Sequence, residues 1–181
     1  MAIFFENPLI EGRLVFAFGN TPGATRYETW KNHLHVFQRE KKKAVDFIYP
    51  EPKSDRVIFT EIKDFQQITR LGKYGQGEYG KTLADDIALK FMDSLNGFEQ
   101  VAKDSVCEEE GEFARENQDK EKIAVFHWEM HGSISRQKRM RFLRLMTKKL
   151  CELLYGSFGR VIVENMIDKP SSYWHVSRIG E

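Results

Sequence analysis

The chain has 181 residues, of which 41% are hydrophobic and 30% charged, and its 28 lysines and arginines nearly balance 27 aspartates and glutamates. A chain of this size can form a hydrophobic core without disulfide or metal staples, so we expect a single domain over 1–181 with its core at about 7–166. No segment approaches the roughly 18 consecutive apolar residues of a membrane span, and Glu6 and Glu11 do not fit an export signal. The two cysteines fit free thiols, and these features together predict a cytoplasmic protein.

The N-terminal part of the chain predicts a helix followed by an ambiguous segment. Asn7 and Pro8 precede an apolar run that ends at Gly19, which is the usual pattern of helix start and stop signals. Gly12 lies inside that run and is unfavourable in a helix. Residues 27–38 fit either a short helix or a strand.

The remaining elements follow in a clearer order. They are a buried strand at 44–49, a strand at 56–65, a glycine-rich loop at 66–81, a helix at about 83–101, a half-buried strand at 123–131, a helix at 136–155 and a strand at 160–166. Between them, 104–121 is acidic and poor in apolar residues, so we expect a solvated or mobile excursion there. The order predicts an α/β domain with a central mixed sheet of four to five strands flanked by helices.

A carboxylate interrupts the first of these buried strands. Asp46 lies within the apolar run AVDFIY, where an unpaired charge would cost several kcal/mol. In the next strand, the period of two places Glu61 and Lys63 on one face. Asp46 and Glu61 on neighbouring strands could share a divalent cation, and Lys63 could orient or deprotonate a water and stabilise charge on a phosphate. The ordinary alternative is a surface cross-strand ion pair.

Asp46, followed after fourteen residues by Glu61-Ile62-Lys63, resembles the PD-(D/E)xK nuclease superfamily, with Val45 where the motif name has proline. The resemblance implies a restriction-endonuclease-like α-β-β-β-α-β core with these residues on its second and third strands. It implies that Asp46, Glu61 and Lys63 are catalytic, and that Mg²⁺ or Mn²⁺ is bound by Asp46, Glu61 and the backbone carbonyl of Ile62. The implied substrate is nucleic acid, with DNA preferred, and members that cut both strands often form homodimers.

Further site residues follow from the same resemblance. Superfamily members often carry another acid on the first helix, for which Glu11 is the candidate and Glu6 and Glu28 are rivals. Candidate nucleic-acid contacts are Gln66, Lys81, Arg136, Lys138 and Arg139, with Lys41 to Lys43 also near the Asp46 strand. The charge is segregated along the chain, because 104–121 has eight acids and two cations whereas 136–149 has seven cations and no acids. The second segment could follow a phosphate backbone, or it could be a solvated helix face.

Three alternatives remain open. The first is a nuclease-like module that has lost its activity and binds nucleic acid or a protein partner. The second is nucleotide binding, because Gly75–Thr82 matches GxxxxGK[ST], although the preceding strand ends about a dozen residues earlier. The third is a zinc site at His127, Glu129 and His131, which share a strand face; their spacing is not that of HExxH, and a polar strand face is favoured.

Overall fold

A mixed five-stranded sheet forms the centre of the molecule. The computed structural model describes residues 3–52, 54–65 and 77–180, with the backbone alone at 77–82. The strands are β1 (Leu9–Glu11), β2 (Leu14–Ala17), β3 (Thr25–Arg26), β4 (Phe47–Glu51), β5 (Arg56–Phe65), β6 (Glu121–Met130), β7 (Arg160–Glu164) and β8 (His175–Arg178). The helices are α1 (Gly77–Lys103), α2 (Glu108–Asn117) and α3 (Arg136–Leu153), with a short 3₁₀ helix at Tyr27–Thr29 and a π-helical turn at His33–Phe37.

The strand order of the central sheet is β3-β4-β5-β6-β7. The pairs β3-β4 and β4-β5 are antiparallel, and the pairs β5-β6 and β6-β7 are parallel. The predicted α/β class with a mixed sheet is therefore confirmed. Strand β6 has parallel neighbours on both sides and is buried from Ile123 to Met130, so the half-buried strand predicted there is wrong about exposure.

The helices cover one face of this sheet. Phe59 of β5 and Phe126 of β6 belong to the same apolar cluster as Phe91 and Phe98 of α1 and Phe142 of α3. At Gly97 the backbone of α1 comes so close to Tyr27 that a Cβ atom would overlap the tyrosine hydroxyl. This close packing holds the Tyr27–Phe37 segment against α1.

The other face is covered by a small antiparallel sheet, β1-β2-β8, instead of by helices. The helix predicted from Asn7 to Gly19 is wrong, because β1 and β2 form a hairpin in which Glu11 pairs with Leu14. Gly12 has φ +58° at the first position of the two-residue turn, as a type II′ turn requires. The apolar residues of this hairpin pack on Phe47 and Ile58 of the central sheet.

The acidic segment 104–121 also differs from expectation. It contains α2, which buries Phe113 and Ala114 in the core on the helical side. The segment has too few apolar residues to show a helical stripe in the sequence. The buried Glu110 holds the helix in place. Its carboxylate accepts hydrogen bonds from the backbone N–H groups of Lys31 and Asn32 at 2.6 and 3.0 Å.

The remaining predicted elements are present with small changes of boundary. β5 spans the predicted 56–65, α1 contains 83–101, and α3 and β7 lie within the predicted 136–155 and 160–166. β4 begins at Phe47, later than predicted, so Asp46 lies immediately before the strand. In the part of the chain that the structure describes, no helix is both long and apolar enough to cross a membrane.

Candidate active site

Asp46, Glu61 and Lys63 lie together on the helical side of the sheet. Phe47 pairs with Thr60, which places Asp46 opposite Glu61, and the Asp46 N–H donates to the Thr60 carbonyl at 3.0 Å. Oδ2 of Asp46 accepts a hydrogen bond from the N–H of Ile62 at 2.6 Å. The antiparallel pairing of β4 and β5 thus brings together three residues that the sequence separates by up to seventeen positions.

The sequence did not indicate a fourth member of this cluster, Lys90 of α1. Its Nζ lies 2.7 and 2.9 Å from the two carboxylate oxygens of Glu61, which also contacts Nζ of Lys63. Glu61 has no solvent exposure, whereas the lysine side chains are 34% (Lys63) and 26% (Lys90) exposed. Glu61 is therefore a buried carboxylate held between two cations that reach it from the solvent side.

A polar stripe on α1 explains how this cluster is positioned. Asp86, Lys90, Asp93 and Ser94 recur at helical spacing beside the apolar stripe of the helix. Asp93 accepts from the backbone N–H of Lys43 at 2.8 Å and Ser94 from that of Val45 at 2.9 Å. These bonds fix the chain just before Asp46, and the stripe itself is the sequence signal that could have revealed Lys90.

The environment of the site shifts the pKa of Asp46 and that of Lys63. Burial and the neighbouring charge of Glu61 raise the pKa of Asp46 to about 7, against smaller opposing effects of Lys90, the Ile62 N–H and Lys63. Burial lowers the pKa of Lys63, but the charge of Glu61 and a bond to it more than offset this, and the pKa is raised. Lys63 is therefore an ammonium group at neutral pH, and Asp46 exchanges its proton there.

The donor set fits a hard divalent cation. Two carboxylates whose proximity disfavours simultaneous ionisation gain most from a shared cation. The Thr60 carbonyl and the Ile62 N–H both point toward Asp46, and because backbone groups two residues apart point the same way in a strand, the Ile62 carbonyl faces this side too. Across the described residues, no three His, Cys, Asp or Glu side chains are grouped to hold a metal, so such an ion would need backbone and water oxygens as well.

The further acid predicted at Glu11 does not join this cluster. Arg26 lies on the opposite face of the sheet, because it pairs with Phe47, and its guanidinium binds Glu11 at 2.6 Å and Glu6 at 2.8 Å. Both acids thus tie the hairpin to the central sheet. The prediction of Glu11 as a ligand rested on a first helix that the structure replaces with strands. Glu28, the other rival, borders a groove next to Lys90.

The candidate nucleic-acid contacts divide into three kinds. Arg136 and Lys138 are exposed at the start of α3. Arg139 instead forms a two-point ion pair with Asp168, at 2.6 and 3.1 Å, and donates to the Ile134 carbonyl, so it fixes the chain after β7. Gln66 and the side chain of Lys81 lie outside the described residues.

The competing motifs fit the structure less well. The backbone is already helical at Gly77, three residues before Gly80, whereas a phosphate-binding loop must wrap its anion up to that glycine. For the suggested zinc group, His127 and Glu129 are buried, but His131 bonds Ser133 instead of joining them. Nδ1 of His127 lies 3.1 Å from Oε1 of Glu164, and its Nε2 lies 3.2 Å from Oε1 of Glu129 without hydrogen-bond geometry.

Comparison of the chain with protein-family models, with curated proteins and with solved structures finds no match.

Proposed function

We propose that this protein is a metal-dependent nuclease of the PD-(D/E)xK type, acting on nucleic acid and with DNA as the expected substrate. The observation that carries the proposal is the meeting of Asp46, just before β4, with Glu61 and Lys63 on the adjacent β5, with the Asp46 carboxylate at the Ile62 N–H. Chance placement of these residue types would not be expected to bury one carboxylate and raise the pKa of the other.

The order of elements around the site supports the same proposal. Asp46 precedes the second strand of the antiparallel series β3-β4-β5, and Glu61 and Lys63 lie on the third. Helix α1 then crosses over to β6, which is parallel to β5. The helical turns at 27–37 lie between β3 and β4, so β4, β5, α1 and β6 follow the last part of the implied α-β-β-β-α-β order, whereas its first helix and first strand are interchanged.

The proposed chemistry assigns a distinct task to each group. Asp46, Glu61 and the Ile62 carbonyl would bind Mg²⁺ or Mn²⁺, which when bound neutralises a scissile phosphate and lowers the pKa of a ligated water. Asp46 must lose its proton to become a ligand, so activity should rise through pH 7. Lys63, as an ammonium, donates hydrogen bonds to a phosphoryl oxygen or to the attacking water; it serves as a positioned charge, and its raised pKa argues against a role as general base.

One observation favours a second candidate, a nuclease-like module without activity. Lys90 bonds both oxygens of Glu61 and so supplies positive charge where a cation would bind. If this pair is permanent, the site is neutralised internally, and the protein would bind nucleic acid without cutting it. The two candidates differ in whether a divalent cation can replace Lys90 at Glu61.

A cleavage assay tests the proposal. Labelled single- and double-stranded DNA and RNA are incubated with the protein and Mg²⁺ or Mn²⁺, and with EDTA as the metal-free reaction. We expect metal-dependent cleavage that falls by ~100-fold or more in Asp46→Asn, Glu61→Gln and Lys63→Met.

Glu11→Gln is the matched control, since Glu11 lies on the opposite face of the sheet and should leave cleavage unchanged. Cleavage that survives all three site substitutions would come from a contaminant or another site and would refute the proposal. Absence of cleavage together with metal-independent binding of nucleic acid would support the inactive module.

A further inference from the structure

A groove of about 500 Å³ lies beside the carboxylate cluster, and Lys90 lines it. Its other walls come from the Tyr27–Thr29 helix, the His33–Phe37 turn and the chain leading to Asp46. Lys90 therefore has two neighbours, Glu61 on one side and the groove on the other. Anything bound in the groove lies next to the site where the proposed cleavage occurs.

The charges along the groove favour an anion. Lys42, Lys43 and Lys90 all line it, against a single acid, Glu28. Lys42 and Lys43 remain partly exposed, at 29% and 41%, although each also has an acidic neighbour, Glu40 and Asp86 respectively. Both lysines thus lie at the groove without being buried. Each could release its surface carboxylate and bind the phosphate of a ligand instead.

The other residues that line the groove offer contacts to parts of a ligand besides its phosphate. Leu34 presents an exposed apolar side chain, and Thr29 and Gln38 offer hydrogen-bonding groups. His33 also lines the groove, but it is buried beside the rings of Tyr27 and Phe37, so Leu34 supplies the exposed apolar contact. The volume falls within the ~300–1,000 Å³ of typical small-molecule sites.

We propose that this groove is a nucleotide subsite, in which the lysines bind a phosphate and Leu34 contacts the base. The bound group would be the nucleotide next to the scissile phosphate on a single strand of the substrate. The assignment of that nucleotide to a substrate strand rests on the proposed nuclease function. The binding of a nucleotide in the groove does not, because it requires neither the metal nor cleavage.

The position of the groove gives it a role in the site. A phosphate bound there would attract Lys90, and Lys90 would then release one or both of its bonds to Glu61. Glu61 would become available to a cation at the moment when the substrate strand is in place. Binding in the groove and metal binding at Asp46 and Glu61 should therefore strengthen one another.

The test is binding of deoxyadenosine 5′-monophosphate, deoxyadenosine and inorganic phosphate to the whole chain in EDTA, measured by titration calorimetry or by amide chemical shifts. We expect the nucleotide to bind at least tenfold more tightly than either fragment. Lys42→Ala/Lys43→Ala should weaken nucleotide binding at least tenfold, and Leu34→Gln, which removes the apolar contact without adding charge, should weaken binding of the nucleotide but not that of phosphate. Lys103→Ala, which removes an exposed lysine in the last turn of α1, is the matched control and should have no effect.

Equal binding of nucleotide and phosphate would reduce the groove to an anion site and overturn the proposal, as would nucleotide binding that the groove substitutions leave unchanged. Thermal unfolding of each variant verifies that it is folded. Failure of this proposal is distinguishable from failure of the nuclease proposal. Loss of cleavage in Glu61→Gln with nucleotide binding intact would bear on the proposed chemistry alone. Cleavage by a protein whose groove binds no nucleotide would count against the proposed subsite alone.

Discussion

At the scale of single residues, Asp46 determines how the site responds to pH. Its pKa in the folded chain is about 7, against 3.8 as the ordinary value, so the fold disfavours its ionisation. This lowers the stability of the folded state as the pH rises from about 4 to about 7, because the unfolded chain ionises first. The carboxylate is thus retained at a cost in stability, as is common at functional sites.

Asp46→Asn should therefore stabilise the metal-free protein at pH 8, by up to about 4 kcal/mol. The asparagine oxygen can still accept from the Ile62 N–H, and the amide cannot ionise. The gain should shrink toward zero by pH 4, which urea unfolding at the two pH values measures. Asp85→Asn, at an exposed position of α1, is the control. An Asp46→Asn protein that is less stable than wild type at pH 8 would contradict the electrostatic account.

At the scale of elements, one buried glutamate attaches α2 to the turn that borders the groove. Glu110 accepts from the N–H groups of Lys31 and Asn32 and from the Asn32 side-chain amide at 2.6 Å. It serves as an N-terminal cap supplied by another helix, and the segment it caps continues into the His33–Phe37 turn. The acidic segment thus has a structural task near the site.

Glu110→Ala should destabilise the protein by ~1–3 kcal/mol, because it leaves buried N–H donors without an acceptor. Glu110→Gln keeps one acceptor oxygen and should cost less. Glu112→Ala, on the exposed side of the same helix, should change the free energy of unfolding by ~0.5 kcal/mol or less. Denaturant unfolding measures all three, and equal effects of Glu110→Ala and Glu112→Ala would contradict the capping role.

At the scale of the whole molecule, a buried charged cluster joins the central sheet to the small one. His127 of β6 lies between Glu129 and Glu164, while Arg178 of β8 contacts Glu129 at 3.3 Å and Phe16 of β2 packs edge-on against the imidazole at 5.2 Å. Burial lowers the pKa of His127, but the two carboxylates more than offset this, and the pKa is raised. The fold therefore favours the charged form of this imidazole at the junction of the two sheets.

The stabilisation by His127 depends on pH in the opposite way to that of a histidine that is buried in its neutral form. Stabilisation by His127 should be complete below its ordinary pKa of 6.5 and should disappear as the pH rises through the raised folded value. Titration of the histidine ring signals by NMR should give His127 a pKa above its ordinary value of 6.5. A His127 ring that is neutral at pH 6 would show that Glu129 and Glu164 do not stabilise its charged form.

The sequence predicted those parts of the molecule in which local pattern and tertiary environment agree. Period-two alternation predicted β5 at the residues where the structure has it. The same alternation places Glu61 and Lys63 on one face of the strand. The N-terminal hairpin was read as a helix because Asn7, Pro8 and Gly19 imitate capping signals, while Gly12 carried the turn information in a single residue. Lys90 and Glu110 were missed because their partners lie 29 and 78 or more residues away along the chain, and a polar stripe on a helix does not show which residue it contacts.

The central claim is that Asp46 and Glu61 share a divalent cation, and calorimetric titration of the metal-free protein with Mn²⁺ tests it most directly. We predict one Mn²⁺ per chain, bound more tightly at pH 8 than at pH 6 because the Asp46 proton must leave, and bound at least tenfold more weakly by Asp46→Asn and by Glu61→Gln. Glu11→Gln should bind Mn²⁺ as the wild type does. Equal Mn²⁺ affinity in the wild type and in both site variants, or no Mn²⁺ binding by the wild type at pH 8, would contradict the account.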